Sequence, residues 1–387
     1  MGLKARTLSN IGAVGAAAWN ALAGDHPFLR HEFLAALEDS GSARPDTGWQ
    51  PRHLLLEDKT GLAAVAPLYA KSHSWGEFVF DFAWARAWES RGLAYYPKLL
   101  LAIPFTPASG PRWLIRPDLP RAQTSARVLQ AVDELMHAEG YSSAHALFLD
   151  EQCRGEAGAA GWLGRQDCHF QWINHDFADF EAYIATFTAE KRKKTRRERR
   201  RVVEQGIEFR TLTGHELDGP LLNTLYEFHA STFLQHGHTP YLNVEFFAAV
   251  ARQMPDALMV KLALHGATPV AAAVFFRNHD TLWGRYWGAA ADFHSLHFEA
   301  CYYQGIDYCI EQGLQRFEPG TQGEHKLARG FAPTLTSSSH LLADPALRAA
   351  VANYLRREAV AIKAYAAQAA QHLPFNARHL AGPDFAC

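Results

Sequence analysis

The sequence predicts an α/β protein, of the α+β kind with mixed sheets, in which two domains of similar design stand in tandem. Three observations carry this. The chain has 387 residues, long enough for two domains of ~100–200 residues each. Hydrophobic residues make up 48% and charged residues 20%, the balance of a chain that buries a core and does not stay disordered. Finally, the order helix, antiparallel hairpin, helix, strand occurs twice.

Taken in order, Lys4 and Arg6 precede an apolar run, Ile11–Ala18, and an Ala-Leu-Ala ending at Ala23. That mimics a signal peptide. The run is mostly Ala and Gly, Trp19-Asn20 breaks it, and it reads at least as well as a short helix capped by Ser9. His26-Pro27-Phe28 leads into a helix carrying Phe33, Leu34 and Leu37 and closed by Gly41. Arg52–Glu57 and Leu62–Ala70 are two strands joined by Asp58-Lys59-Thr60-Gly61. Ala126–Glu139 is a helix with Val128, Leu129, Val132, Leu135 and Met136 on one stripe, Gly140 its stop and His145–Leu149 the strand after it.

The second half repeats the order. Leu221–Phe233 and Val244–Arg252 are helices; Leu258–Leu264, Val270–Phe276 and Thr281–Trp287 are strands. His297–Glu311 is the following helix, stopped by Gly313, and Leu314–Phe317 the short strand after it. The domains expected are therefore 1–175, with an insertion across about 71–124, and 176–387, beginning with a basic helix. The join lies near Asn174–Asp179.

Several function classes are excluded. The net charge of −2 gives no long-range pull toward nucleic acid or membrane, and no apolar stretch approaches the ~20 residues of a membrane span. Cys153, Cys168, Cys301, Cys309 and Cys387 form no CxxC and no zinc spacing, which suits free thiols in the cytoplasm. Phosphate-loop, dinucleotide-binding, zinc-protease and serine-hydrolase motifs are missing. His236-Gly237-His238, with His229 seven residues earlier, lacks a nearby acid or thiol and reads as a polar loop, so no metal is expected.

Four constellations remain. Lys191–Arg201 holds nine basic residues and one acid. It is a helix, capped by Thr188 and ended by Gly206, that is either a solvated surface or an anion site built from Lys191, Arg192, Arg196 and Arg199. Phe317–Phe331 follows a short strand, so its polar groups lie at a sheet end. Glu318, Glu324 and His325 offer proton acceptors there, Lys326 and Arg329 anion contacts, and three glycines close backbone approach. Lys71–Asp81, Tyr95–Lys98 and Pro104–Pro107 mix aromatics with single charges, the composition of a pocket wall. Trp283–Trp287 is a strand of large rings in which Arg285 is the member that core packing explains least.

The segment ending Lys326-Leu327-Ala328-Arg329-Gly330-Phe331 resembles the Phe-Lys-x-Gly-Phe-Gly ending of Fem-type peptidoglycan-bridge aminoacyltransferases, which are tandem GNAT-fold proteins. It departs from that pattern at Leu327, Ala328 and Ala332. The chain is closer to a bacterial FemAB-like group of predicted N-acyltransferases. That likeness runs through Pro27-Phe28, Phe33-Leu34, Leu37-Glu38, Lys71–Asp81, Tyr95–Lys98, Pro104–Pro107, Gly110-Pro111-Arg112 and Lys191–Arg200.

The resemblance implies two GNAT-like acyl-CoA N-acyltransferase domains. It implies transfer of an acyl or aminoacyl group from a CoA thioester or aminoacyl-tRNA to an amine, with a cell-wall precursor as one acceptor class. The co-substrate is acyl-CoA or aminoacyl-tRNA, with no tightly bound cofactor. The Gln/Arg-x-x-Gly-x-Gly/Ala loop of many GNAT enzymes is not visible. Glu318, Glu324 and His325 are the candidate catalytic residues. Lys191, Arg192, Arg196, Arg199, Lys326 and Arg329 are candidates for the donor. Lys71, His73, Glu77, Asp81, Tyr96, Lys98 and Arg285 are candidates for the acceptor. The alternative is a non-catalytic GNAT scaffold that binds peptidoglycan precursors or RNA.

Overall fold

The computed structural model describes residues 2–380 except His236 and Gln322, so those two and Cys387 lie outside the described residues. The chain divides into two units: Met1–Asp167 with Leu335–Lys363, and Cys168–Thr334 with the segment from Ala364 onward.

Pro67 sets the plan of the first unit. It has no N–H to give a ladder, and it splits the single strand expected over Leu62–Ala70 into Gly61–Ala66 and Leu68–Lys71. These belong to different sheets. Gly61–Ala66 lies in an antiparallel sheet between His53–Asp58 and Leu114–Ile115, with Lys4–Leu8 on the other edge. Ser9 caps nothing: Asn10 caps a 3-10 turn, and the helix Ala16–Ala23 begins after Gly15.

Leu68–Lys71 pairs antiparallel with Trp49–Pro51 and Lys98–Leu101. Lys98–Leu101 runs parallel to Ser143–Leu149, which pairs antiparallel with the end of Ala332–Leu342. The segment 71–124 thus supplies an interior strand of this sheet. Trp49, Lys71 and Lys98 stand in one cross-strand row, and Tyr69, Leu100, His145 and His340 in the row two residues along, on the same face.

Strand alternation then sorts the residues. Leu68, Ala70, Leu99, Leu101, Ala144, Ala146 and Leu341 form an apolar core with Val128, Val132 and Met136 of the helix Arg121–Ala138. The opposite face carries Trp49, Tyr69, Lys71, Lys98, Ser143, His145 and His340, all buried. Trp84 and Trp88, on the helix Phe82–Glu89, cover part of it, packing edge-on against His340 and Tyr95.

In the second unit the strand order is Ile207–Thr213, Leu258–His265, Thr268–Arg277, Thr281–Ala289, Arg316–Glu318 and the end of Leu163–Ile173. All pairs are antiparallel except one. Thr281–Trp283 runs parallel to Arg316–Glu318, after which the longer strand continues to Ala289 paired with Thr268–Arg277. A register shift at Val274/Phe275 bends its other neighbour. Gly288 is required on the long strand, because a Cβ there would fall 1.7 Å from the Phe228 carbonyl oxygen.

The expected helix His297–Glu311 is interrupted. Leu296–Phe298 and Gln304–Gln312 flank a π-helical turn, Glu299–Tyr303, a feature that shifts side chains around the axis and recurs at functional sites. Among the described residues no helix is long and apolar enough to cross a membrane.

Candidate functional site

In the first unit the polar sheet face is closed by the loop Ser72–Asp81, whose charges point inward. Lys98 Nζ donates to Ser74 Oγ (2.9 Å), Glu77 Oε2 (2.8 Å) and Asp81 Oδ2 (2.5 Å). Asp81 also accepts from the Ser74 and Tyr95 hydroxyls. Because the Ser74 proton is committed to Asp81, the Tyr96 hydroxyl 2.8 Å away is the donor to Ser74. Beyond Tyr95 the network runs to His145 Nε2 (3.2 Å), and from His145 Nδ1 to His340 Nδ1 (2.7 Å). Five of the seven residues assigned to the acceptor take part in or adjoin this cluster: Lys71, Glu77, Asp81, Tyr96 and Lys98. His73 is half-buried at the loop's start and accepts the Trp75 N–H, and Arg285 belongs to the second unit.

Burial and mutual charge set the protonation states. Burial lowers the Lys98 pKa, but Glu77 and Asp81 outweigh it and the ammonium is held charged. Burial also opposes the Asp81 carboxylate, yet Lys98 keeps its pKa below the usual range. Glu77 is pushed up to about 7 by burial against the pull of Lys98. Burial takes Lys71 down to about 7, with Glu77 opposing. Burial takes His145 down to about 3 and holds His340 well below its ordinary value, so both rings are neutral and share one proton between their facing nitrogens.

In the second unit a cavity of about 90 Å³ opens where Thr281–Ala289 runs past the end of its parallel partner. Gly284, Arg285, Trp287 and Pro319 line one side, and His297, Cys301 and Tyr302 the other. The π-helical turn is what presents Cys301 and Tyr302 together. The Tyr302 hydroxyl lies 2.8 Å from His325 Nε2, and the His325 ring packs against Phe298 and Tyr302 with centroids 5.5 Å away in each case. Burial raises the Tyr302 pKa. Burial and the cations Arg329 and Lys326 lower that of His325. At neutral pH the pair is a phenol facing a neutral imidazole.

Of the other residues assigned in this unit, Arg285 lines the cavity, while Glu324 and Arg329 are held by partners of their own. Arg285 is half-buried on the wall, its pKa lowered by burial while Tyr286 and Glu318 oppose. Glu324 is exposed and accepts from the Tyr365 hydroxyl at 2.8 Å. Arg329 is buried, with Nη2 2.8 Å from Glu198 and its guanidinium 3.6 Å above the Phe298 ring.

On the basic helix, now Ala189–Glu204, Arg196 is bonded to Glu181, and Arg199 to Asp307 and Glu299. Lys191 and Arg192 are half-buried on its first turns, and Arg192 donates to the Ala185 carbonyl. Thr188 precedes the helix without a side-chain cap bond. Tyr302, Cys301 and His297 line the cavity, yet the sequence reading singled out none of them. Within a helical stretch they look like core spacing, and the π turn that rotates them leaves no compositional mark.

Lys326 is buried and its Nζ donates to the Gly320 carbonyl at 2.7 Å. Burial lowers its pKa to about 7, with Cys301 opposing. The unfolded chain holds that proton up to the ordinary lysine range, so between pH ~7 and ~10.5 it binds more protons than the folded chain, and stability rises with pH. Lys326→Met is therefore expected to raise stability at pH 7 by on the order of 3 kcal/mol. It should also flatten the rise toward pH 10 in urea-unfolding curves. An unchanged pH profile would show that the folded lysine keeps its proton.

The family model for FemAB-like proteins, described as peptidoglycan biosynthesis/recognition, matches residues 10–377. The chain belongs to the FemAB-like family. Among solved structures, a conserved protein of unknown function from Bacteroides thetaiotaomicron aligns with TM-score 0.53 at 13% identity, covering 87% of this chain and 99% of that one. FemX aligns with TM-score 0.50 at 10% identity, covering 80% and 92%. A tandem GNAT protein from the clavulanic acid biosynthesis pathway aligns with TM-score 0.45 at 12% identity, covering 89% and 99%. No curated protein sequence matches. At such identities the likeness is one of fold: the FemAB-like chain shares its mixed α/β fold with the Bacteroides thetaiotaomicron protein and with FemX.

Proposed function

We propose that this FemAB-like protein transfers an acyl or aminoacyl group to an amine, with the bond-making step in the cavity of the second unit. The observation that carries this is the Tyr302–His325 pair, set by the π turn at the point where the parallel strands part. The acceptor nitrogen attacks the donor's thioester or ester carbonyl. Backbone N–H groups beside the parted strands receive the oxyanion. As the new C–N bond forms, the attacking nitrogen gives its proton to His325 by way of Tyr302. The same pair returns a proton to the departing sulfur or oxygen, so no proton is gained or lost.

Acyl-CoA and aminoacyl-tRNA are the two donors this reading admits, both small-molecule or RNA co-substrates of the cytoplasm. Lys191 and Arg192 take the donor's phosphates, because Arg196, Arg199 and Arg329 already hold carboxylates.

With either donor, Tyr302→Phe and His325→Gln are expected to lower turnover by about 10²–10⁴-fold while leaving the thermal midpoint near that of the parent. Full activity in both variants removes the proposed pair from the chemistry. Donor binding that weakens with salt by a log–log slope of about −0.7 per phosphate contact selects tRNA over CoA. A protein that binds wall precursors or RNA and never turns over supports the non-catalytic scaffold instead.

A further inference from the structure

Lys71 is a fully buried lysine whose hydrogen-bonding capacity is mostly unused. Its Nζ stands 3.9 Å from the centre of the Trp49 ring and donates to the Trp75 carbonyl at 3.2 Å. Two more polar atoms nearby, Trp49 Nε1 and Glu77 Oε1, are buried without a partner among the described residues. All three belong to the turn Trp75–Glu77 and the strand row beneath it. A Cβ on Gly76 would lie 3.5 Å from Trp49 Cζ2, so the nitrogen-bearing edge of the indole faces the turn. Unpartnered buried donors and charges destabilise a fold, and apolar residues of the same shape would be tolerated better. A bound group that completes these partners offsets that cost.

We infer that the Trp75–Glu77 turn covers a binding site for one carboxylate group, received by Lys71 Nζ and Trp49 Nε1 with Glu77 beside it. Its oxygen takes the place of the Trp75 carbonyl on Lys71. The site suits a monoanion. Lys98, the other cation of this cluster, already serves Ser74, Glu77 and Asp81, which leaves too little positive charge for a phosphate dianion.

The charged and titratable groups facing Lys71 are Glu77, Lys98, Asp81 and His73. Lys98 and Asp81 remain charged. An incoming anion raises the proton affinity of Lys71 and of Glu77, so binding takes up a proton and tightens as pH falls through 7. The binding does not rest on the acyl-transfer reading.

Calorimetric titration of the full chain with acetate, glycine, N-acetylglycine and inorganic phosphate, without any acyl donor, tests this. The carboxylates are expected to bind, about tenfold more weakly at pH 8 than at pH 6, given a group titrating near 7. Tightest binding by acetate points to a simple acid, by glycine to a free amino acid, and by N-acetylglycine to a peptide C-terminus. Trp49→Phe keeps the ring and loses the N–H, and should weaken binding about fivefold, the worth of one hydrogen bond. Lys71→Gln should abolish it. Phosphate binding as well as the carboxylates at pH 8, where phosphate is mainly the dianion, affinity that ignores pH, or no binding by any probe overturns the inference. None of these outcomes touches the Tyr302 test, so the two readings fail separately.

Discussion

Lys98→Met is expected to destabilise the first unit by about 3–5 kcal/mol, the loss typical of removing one partner from a buried charge cluster. The ammonium is fully buried and bonds two carboxylates at 2.8 and 2.5 Å. Without it Glu77 and Asp81 face each other across a dry sheet, and each must protonate or stay charged without its cation. The sign of the pH dependence follows. In the parent, Asp81 has a depressed pKa, so its contribution is present above the ordinary aspartate range and lost on acidification. In the variant both carboxyls have raised values, so the variant's deficit is largest at high pH and shrinks as pH falls. Adding Glu77→Gln and Asp81→Asn should recover most of the loss at neutral pH. Urea unfolding at several pH values checks both claims, and a deficit that does not vary with pH would mean that Lys98 acts through packing.

This cluster was half-legible in the sequence. Lys71–Asp81 and Tyr95–Lys98 stand out as charges among aromatics, and the structure brings them to one sheet face. The rest was hidden by sequence separation. His145 and His340 share a proton across 195 positions, and nothing local in either strand marks the two rings as partners. What covers their face of the sheet is a loop and a helix, Phe82–Glu89, from elsewhere in the chain. Pro67 was visible, and its rule was available: a residue without an N–H cannot run through a ladder. Reading past it merged two strands of different sheets into one.

The basic helix shows the opposite error. Counting nine cations against one acid within Lys191–Arg201 suggests free positive charge, because local pairing cannot neutralise it. The neutralising acids lie outside the window: Glu181 for Arg196, Glu299 and Asp307 for Arg199. Charge runs are legible as helices, but their availability depends on partners that only the fold supplies. The strand Ala332–Leu342 and the long helix Pro345–Ala370 passed unread for a related reason. Serine-rich alternation and an alanine-rich run carry little periodic contrast, and tertiary packing decides their state.

Arg329→Met should cost the second unit about 3–5 kcal/mol as well, and it has a second consequence that tests the proposed chemistry. Arg329 Nη2 bonds Glu198 Oε2 at 2.8 Å, where the Tyr303 hydroxyl also donates at 2.6 Å, and Nη1 holds the His325 carbonyl at 2.7 Å. Truncation leaves Glu198 nearly buried with its main counter-ion gone, so pairing it with Glu198→Leu should restore much of the stability. The catalytic effect has a different origin. The charge of Arg329, second to burial, is among the causes that hold the His325 imidazole below its ordinary pKa. Removing that charge raises the His325 value. If His325 accepts a proton during turnover, the acidic limb of the rate–pH profile must move to higher pH in Arg329→Met/Glu198→Leu. The stability-restoring change at Glu198 cannot produce that shift by loss of packing. A limb that stays in place, in a variant that folds and turns over, would take His325 out of the proton path and leave Tyr302 to act with another base.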